Sequence, residues 1–122
     1  MDAKILRMAL QSQEPLEIVE STGPQSDQRI LTLSGPVVLT TLFQFQNALR
    51  ARTSRLLVID FTRVPYIDSA GIGALVGAHV SQSKEGRALA LVGVNERVRN
   101  ALKVTHVETF FRFVPTQEEA LR

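Results

Sequence analysis

The residues best placed to do chemistry are Asp68 and Ser69, within Val64-Pro65-Tyr66-Ile67-Asp68-Ser69-Ala70-Gly71-Ile72-Gly73. This acid and hydroxyl follow, after a short turn, the apolar run Leu56-Leu57-Val58-Ile59-Asp60. The pattern predicts a buried strand, a turn and the start of a helix, with Ser69 as the N-cap. A serine there exposes its hydroxyl over a first turn whose backbone N–H groups have no partners within the helix. Those donors and the positive end of the helix dipole suit a group that becomes an anion. The chemistry implied is modification of Ser69, more than catalysis by it. The plainer alternative is a structural cap worth about 1 kcal/mol, with Asp68 ending the strand or accepting a backbone hydrogen bond.

Other chemistries lack their parts. A hydrolase nucleophile elbow needs a glycine two residues before the serine, and Ile67 stands there. His79 and His106, the two histidines, fall on a predicted helix and a predicted loop, with no further ligand at metal spacing. Gly71-Ile72-Gly73 is not followed by the lysine and hydroxyl of a phosphate-cradling loop. The chain has no cysteine, which removes disulfides, thiolate metal sites and a cysteine nucleophile. No cofactor is expected.

The 122 residues suit one domain. The net charge is only +2, with basic residues scattered along the chain, so no nucleic-acid footprint is expected. No apolar run approaches the ~20 residues of a membrane span. Met1 to Leu10 lacks the continuous apolar stretch of a signal peptide, so the expected location is the cytoplasm.

The elements that position Asp68 and Ser69 can be read from periodicity. Residues 1–15 read as an N-terminal arm, either frayed or docked as a short helix, ending in the polar linker Gln11 to Pro15. Leu16 to Glu20 alternates like a half-buried strand, and Arg29 to Ser34 resumes the signal after a turn-rich loop, which predicts an antiparallel hairpin. A helix is expected over Thr41–Arg52, with Thr40 as its cap and Leu42, Phe43, Phe45, Ala48 and Leu49 as its apolar positions. Leu56 to Asp60 suits a strand covered on both faces, as in parallel pairing. Ala70 to Lys84 is expected to be a helix rich in small residues, with Gly73 and Gly77 allowing close approach to a sheet. Ala88 to Gly93 reads as a strand, Asn95 as the cap of a helix to Lys103, and Thr109 to Val114 as the last strand. Thr116-Gln117-Glu118-Glu119 is a capping box opening a terminal helix. A hairpin followed by βα units implies an α/β fold with a mixed sheet.

The run Ile67 to Leu75 resembles the signature of the STAS domain, specifically that of anti-sigma-factor antagonists. Asn95 to Leu102 and Phe110 to Leu121 agree with that family in order and spacing, so the resemblance spans about Leu16 to Leu121. It implies a STAS fold over residues 16–122, a mixed sheet of about five strands with helices packed against it. It further implies a non-enzymatic partner switch. Ser69 would be phosphorylated by an anti-sigma factor that is a serine kinase, with Asp68 as its acidic neighbour and Gly71 forming the tight helix entry. The unphosphorylated form would bind that kinase, and a phosphatase would reset the cycle. The expected partner surface is Asp68, Ser69, Ala70, Gly71 and Ile72, together with Val37, Val38, Leu39 and Thr40.

Two features depart from the family pattern. The segment after Gly35 carries no acidic residue, so Val37, Val38 and Leu39 are expected to form an apolar contact patch instead. Thr105-His106-Val107 lacks a glycine after the helix, which requires His106 to take a left-handed cap. A scaffold subunit of a stress-signalling assembly, or an accessory subunit of a lipid or anion transporter, is the alternative the resemblance leaves open.

Overall fold

The structure is a computed structural model and describes residues 2–6 and 14–122. Of the expected arm, residues 3–6 are helical, whereas most of the expected linker lies outside the described residues. The remainder forms one five-stranded sheet with helices on both faces. Strands β1 (Glu17–Thr22) and β2 (Gln28–Ser34) precede α1 (Leu42–Arg50), β3 (Leu56–Arg63) and α2 (Ser69–Lys84). Then come β4 (Ala88–Val92), α3 (Glu96–Val104), β5 (Arg112–Val114) and α4 (Gln117–Ala120). Single 3-10 turns at Leu39–Thr41 and Glu108–Phe110 introduce α1 and β5.

The spatial order of the strands is their sequence order. β1 and β2 form the expected antiparallel hairpin, with Glu17 opposite Ser34 and Thr22 opposite Arg29. Every later pairing is parallel: Ile30 lies beside Val58, Val58 beside Ala90, and Leu91 beside Phe113. Parallel crossovers are right-handed in nearly all proteins. Because the strands advance in one direction, α1, α2 and α3 must all land on the same face. There Leu31, Leu33, Leu57, Ile59, Phe61 and Leu91 meet Phe45, Ile72, Leu75, Val98 and Leu102. The other face, built from Ile30, Leu56, Val58, Ala90 and Val92, is covered by Ala120 and Leu121 at α4. β3 is therefore buried on both sides, as its unbroken apolar run requires.

The caps at Asn95 and Thr116 form as expected, accepting from the N–H groups of Val98 and Glu119. His106 takes φ 60°, the left-handed conformation that the missing glycine demanded. Elsewhere the structure corrects the sequence reading. β5 is three residues long, because Glu108–Phe110 coils into a 3-10 turn. Thr40 does not cap α1, since the 3-10 turn intervenes; the buried Thr41 hydroxyl accepts from Val38 N–H (3.0 Å) and faces Pro36 O (2.9 Å). Gly73 and Gly77 do not approach the sheet. α2 turns Ile72 and Leu75 inward, which puts both glycines on the outer side, where an added Cβ would meet nothing within 4 Å.

No helix among the described residues is long and apolar enough to cross a membrane. The open surroundings of Gly77 give a direct stability test. Replacing a helix-interior glycine by alanine, with no neighbour to strike, should stabilise the domain by about 0.5–1 kcal/mol. Urea denaturation of Gly77→Ala should show the midpoint rising with an unchanged slope.

Candidate functional site

β2 and β3 are parallel neighbours, so the loops that follow them leave the same edge of the sheet side by side. A short bridge between Val37 and Ile67 continues the pairing beyond the strands. Val37 N–H donates to Tyr66 O (3.2 Å) and Asp68 N–H donates to Val37 O (3.3 Å). The two loops are thus joined through their backbones where Ser69 enters α2.

Asp68 completes the junction. Its Oδ1 accepts from Gly71 N–H (2.9 Å) and its Oδ2 from Leu39 N–H (3.0 Å). Asp68 is therefore the N-cap of α2, and Ser69 is the first helical residue. This corrects the sequence reading by one position. Asp68 has the extended backbone of a cap, and its carboxylate supplies two acceptors where a hydroxyl supplies one. Ser69 is consequently not spent on capping. It is exposed, and neither its N–H nor that of Ala70 has an acceptor among the described residues.

Gly71 is fixed by contact with the neighbouring loop. A Cβ there would lie 2.2 Å from Val37 O and 2.8 Å from the Ile67 side chain. Glycine alone lets the first turn of α2 press against that loop.

The remaining expected partner residues divide by burial. Leu39 and Thr40 face solvent and Ala70 is half-buried, whereas Gly71, Ile72, Val37 and Val38 are buried. The expected apolar patch of Val37, Val38 and Leu39 is therefore corrected: the interloop bridge draws Val37 inward, Val38 follows it into the core, and Leu39 alone is left outside. Leu39 is 67% exposed, and Phe43 (78% exposed), one helical turn further on, presents the larger apolar surface. Sequence periodicity groups Phe43 with Leu42, Phe45, Ala48 and Leu49 as the apolar positions of this helix. Three apolar residues at 42, 43 and 45 cover too wide an arc for one buried stripe, and that width was the available signal.

The third side of the site comes from α3. Asn95 Nδ2 donates to Val64 O (3.1 Å) and Pro65 O (3.3 Å), tying the start of α3 to the loop that leads to Ser69. Arg97 lies over the Tyr66 ring, 4.9 Å from its centre. Burial, with the Glu14 carboxylate and more weakly that of Asp68, pushes the Tyr66 phenol above its ordinary value, while Arg97 pulls the other way. His79 does not reach this chemistry. It lies ten residues along α2, about 15 Å of helix from Ser69, and its ring stacks on Phe110 at 5.2 Å.

These contacts make two substitutions informative. Asp68→Ala should cost about 1–2 kcal/mol, the upper range of a lost N-cap, because Leu39 N–H also loses its acceptor. Gly71→Ala should cost about 1–3 kcal/mol, since the obstacle is backbone that cannot swing aside. Chemical denaturation measures both.

Comparison with known proteins agrees with this architecture. The anti-sigma-B factor antagonist of Listeria monocytogenes is 28% identical over 90 residues, covering 71% of this chain and 79% of the relative. The crystal structure of an anti-sigma factor antagonist from Mycobacterium paratuberculosis matches with a TM-score of 0.76 at 21% identity, over 88% of this chain and 92% of that one. The phosphorylated form of the Bacillus cell fate determinant SpoIIAA matches with a TM-score of 0.67 at 15% identity, over 85% and 96% of the two chains. Residues 16–120 match the model of the STAS domain, and with the five-stranded mixed sheet formed as that fold requires, this chain belongs to the STAS domain family.

Proposed function

We propose that this protein is an anti-sigma factor antagonist that binds an anti-sigma factor kinase and is switched by phosphorylation of Ser69. The observation that carries the reading is the division of labour at the start of α2. Asp68 does the capping, so the Ser69 hydroxyl stands exposed beside two unspent N–H groups. The Listeria relative bears the name of such an antagonist, and SpoIIAA, of the same fold, exists in a phosphorylated form.

The reaction would belong to the partner. The γ-phosphoryl group of ATP passes to Ser69 Oγ, the hydroxyl proton leaves to a base of the kinase, and ADP departs. The product carries about −1.5 to −2 charges and three acceptor oxygens at a surface that was neutral. The N–H groups of Ser69 and Ala70 can receive part of that charge. A partner surface fitted to a hydroxyl would have to desolvate the dianion beside the Asp68 carboxylate. A few kcal/mol of disfavour suffices, since each ~1.4 kcal/mol is tenfold in affinity. A phosphatase would restore the binding form. Leu39 and Phe43, exposed beside this loop, are the apolar anchors the partner would cover.

Incubation with ATP and the anti-sigma kinase of the same organism should add one phosphate to Ser69, read by mass spectrometry, and none to Ser69→Ala. Phosphorylated protein should bind that kinase at least about tenfold more weakly by calorimetry. Phosphate on another residue, or equal affinity of the two forms, would sink the proposal. Phe43→Asp should weaken the same complex by about tenfold or more without changing the melting temperature, because the side chain makes no core contact.

A further inference from the structure

A groove of about 570 Å³ runs between α1 and α2, beginning beside Gly73 and ending at the loop before β4. Its lining brings together Arg29, Arg50, Arg52 and Arg87, which are distant in sequence, and contains no aspartate or glutamate. Arg29 is a structural member of this set. It is 2% exposed, and its guanidinium is spent on the Glu20 carboxylate and on the carbonyls of Ala48, Leu49 and Arg52. The carbonyls of Ala48 and Leu49 belong to the negative end of α1, which would otherwise repel an anion. Arg29 therefore neutralises a feature of the groove that opposes negative charge.

Of the other three arginines, Arg50 and Arg52 are exposed and Arg87 is half-buried. Arg52 is 4.0 Å from Glu20, which Arg29 also uses, and Arg50 and Arg87 have no ion pair among the described residues. The buried amide of Gln82 in the wall is satisfied by Ser54 O (3.2 Å) and Ala88 O (2.8 Å). Arginine charge is what the fold itself leaves uncompensated here. Along α2 the wall is low at Gly73, Ala74, Gly77 and Ala78, so a bound group can lie near the helix backbone. The volume falls in the ~300–1,000 Å³ range of small-molecule sites, and guanidinium forks match phosphate oxygens in pairs.

We propose that this groove binds a small phosphorylated molecule, with its phosphate oxygens on Arg50, Arg52 and Arg87 and its body against α2. The site is separate from Ser69 and independent of how Ser69 is read.

The test uses the full chain and pyrophosphate, titrated at constant ionic strength and followed by the arginine Nε–H signals in two-dimensional NMR. Saturable shifts should appear at Arg50, Arg52 and Arg87. The double variant Arg50→Gln/Arg87→Gln should weaken binding about tenfold or more. Arg55→Gln/Arg63→Gln removes the same charge from exposed arginines outside the groove and should leave affinity within about twofold. Ser69→Ala should bind like the wild type. Shifts that never saturate, or equal losses in the two double variants, would mean diffuse attraction and overturn the site. Binding of a hexaglutamate peptide that pyrophosphate fails to displace would overturn the small-molecule assignment.

Discussion

The Asp68 carboxylate is the interaction on which the end of the molecule that presents Ser69 depends. One oxygen holds the first turn of α2 and the other holds the loop before α1, 29 residues earlier than Asp68, so two distant segments share one anion. Parallel pairing of β2 and β3 delivers both loops to the same edge, and the Val37–Ile67 bridge sets their spacing. The carboxylate then fixes their relative rotation. Gly71 meets the same demand from the opposite direction, because only a residue without a side chain fits against Val37 O. Asp68 and Gly71 thus serve the geometry that presents Ser69, and Ser69 itself carries none of that burden.

A second anchor holds the other end of α1. Arg29 reaches from β2 beneath the last turn of α1 and takes up its carbonyls together with Glu20 of β1. A buried arginine is tolerable only when charge and hydrogen bonds are both answered, and here they are. α1 is held at its start through the loop before it and at its end through Arg29. The groove between α1 and α2 owes its walls to that double tether.

The layer arrangement was legible in the sequence because it rests on periodicity and handedness. The all-apolar β3, the hairpin before it and the βα order afterwards admit few topologies. The placement of Asp68-Ser69 where a strand-following turn enters a helix was legible too, since the apolar run before it and the small-residue run after it mark both elements. What was not legible depended on which way a side chain turns. Serine and aspartate are both good caps, and the tertiary placement of the Asp68 backbone and of Leu39 N–H favours Asp68 in the role. Val37 and Val38 read as a surface patch because an apolar loop residue looks the same whether a bridge draws it inward or not. Phe43 read as one of the apolar positions of its helix, and Gly73 and Gly77 read as facing the sheet, because a helix phase error of one residue rotates every side chain by about 100°. The arginine groove was hidden for a different reason. Positions 29, 50, 52 and 87 share no local pattern, and tertiary structure alone assembles them.

The division of roles at α2 also constrains how a switch at Ser69 would act. Had the serine hydroxyl been the cap, adding a phosphate would have removed the cap and loosened the first turn. With Asp68 capping, the hydrogen bonds that join the two loops do not involve the modified oxygen. The new charge would instead meet the two unspent N–H groups of the helix start, which favours retention of the fold. Under that reading the signal lies in the surface itself, a neutral hydroxyl exchanged for a desolvation-resistant dianion, and it needs no moving part. The rigidity of the Asp68 junction is then part of the mechanism, because a surface that yielded to the phosphate could relieve the repulsion on which discrimination depends.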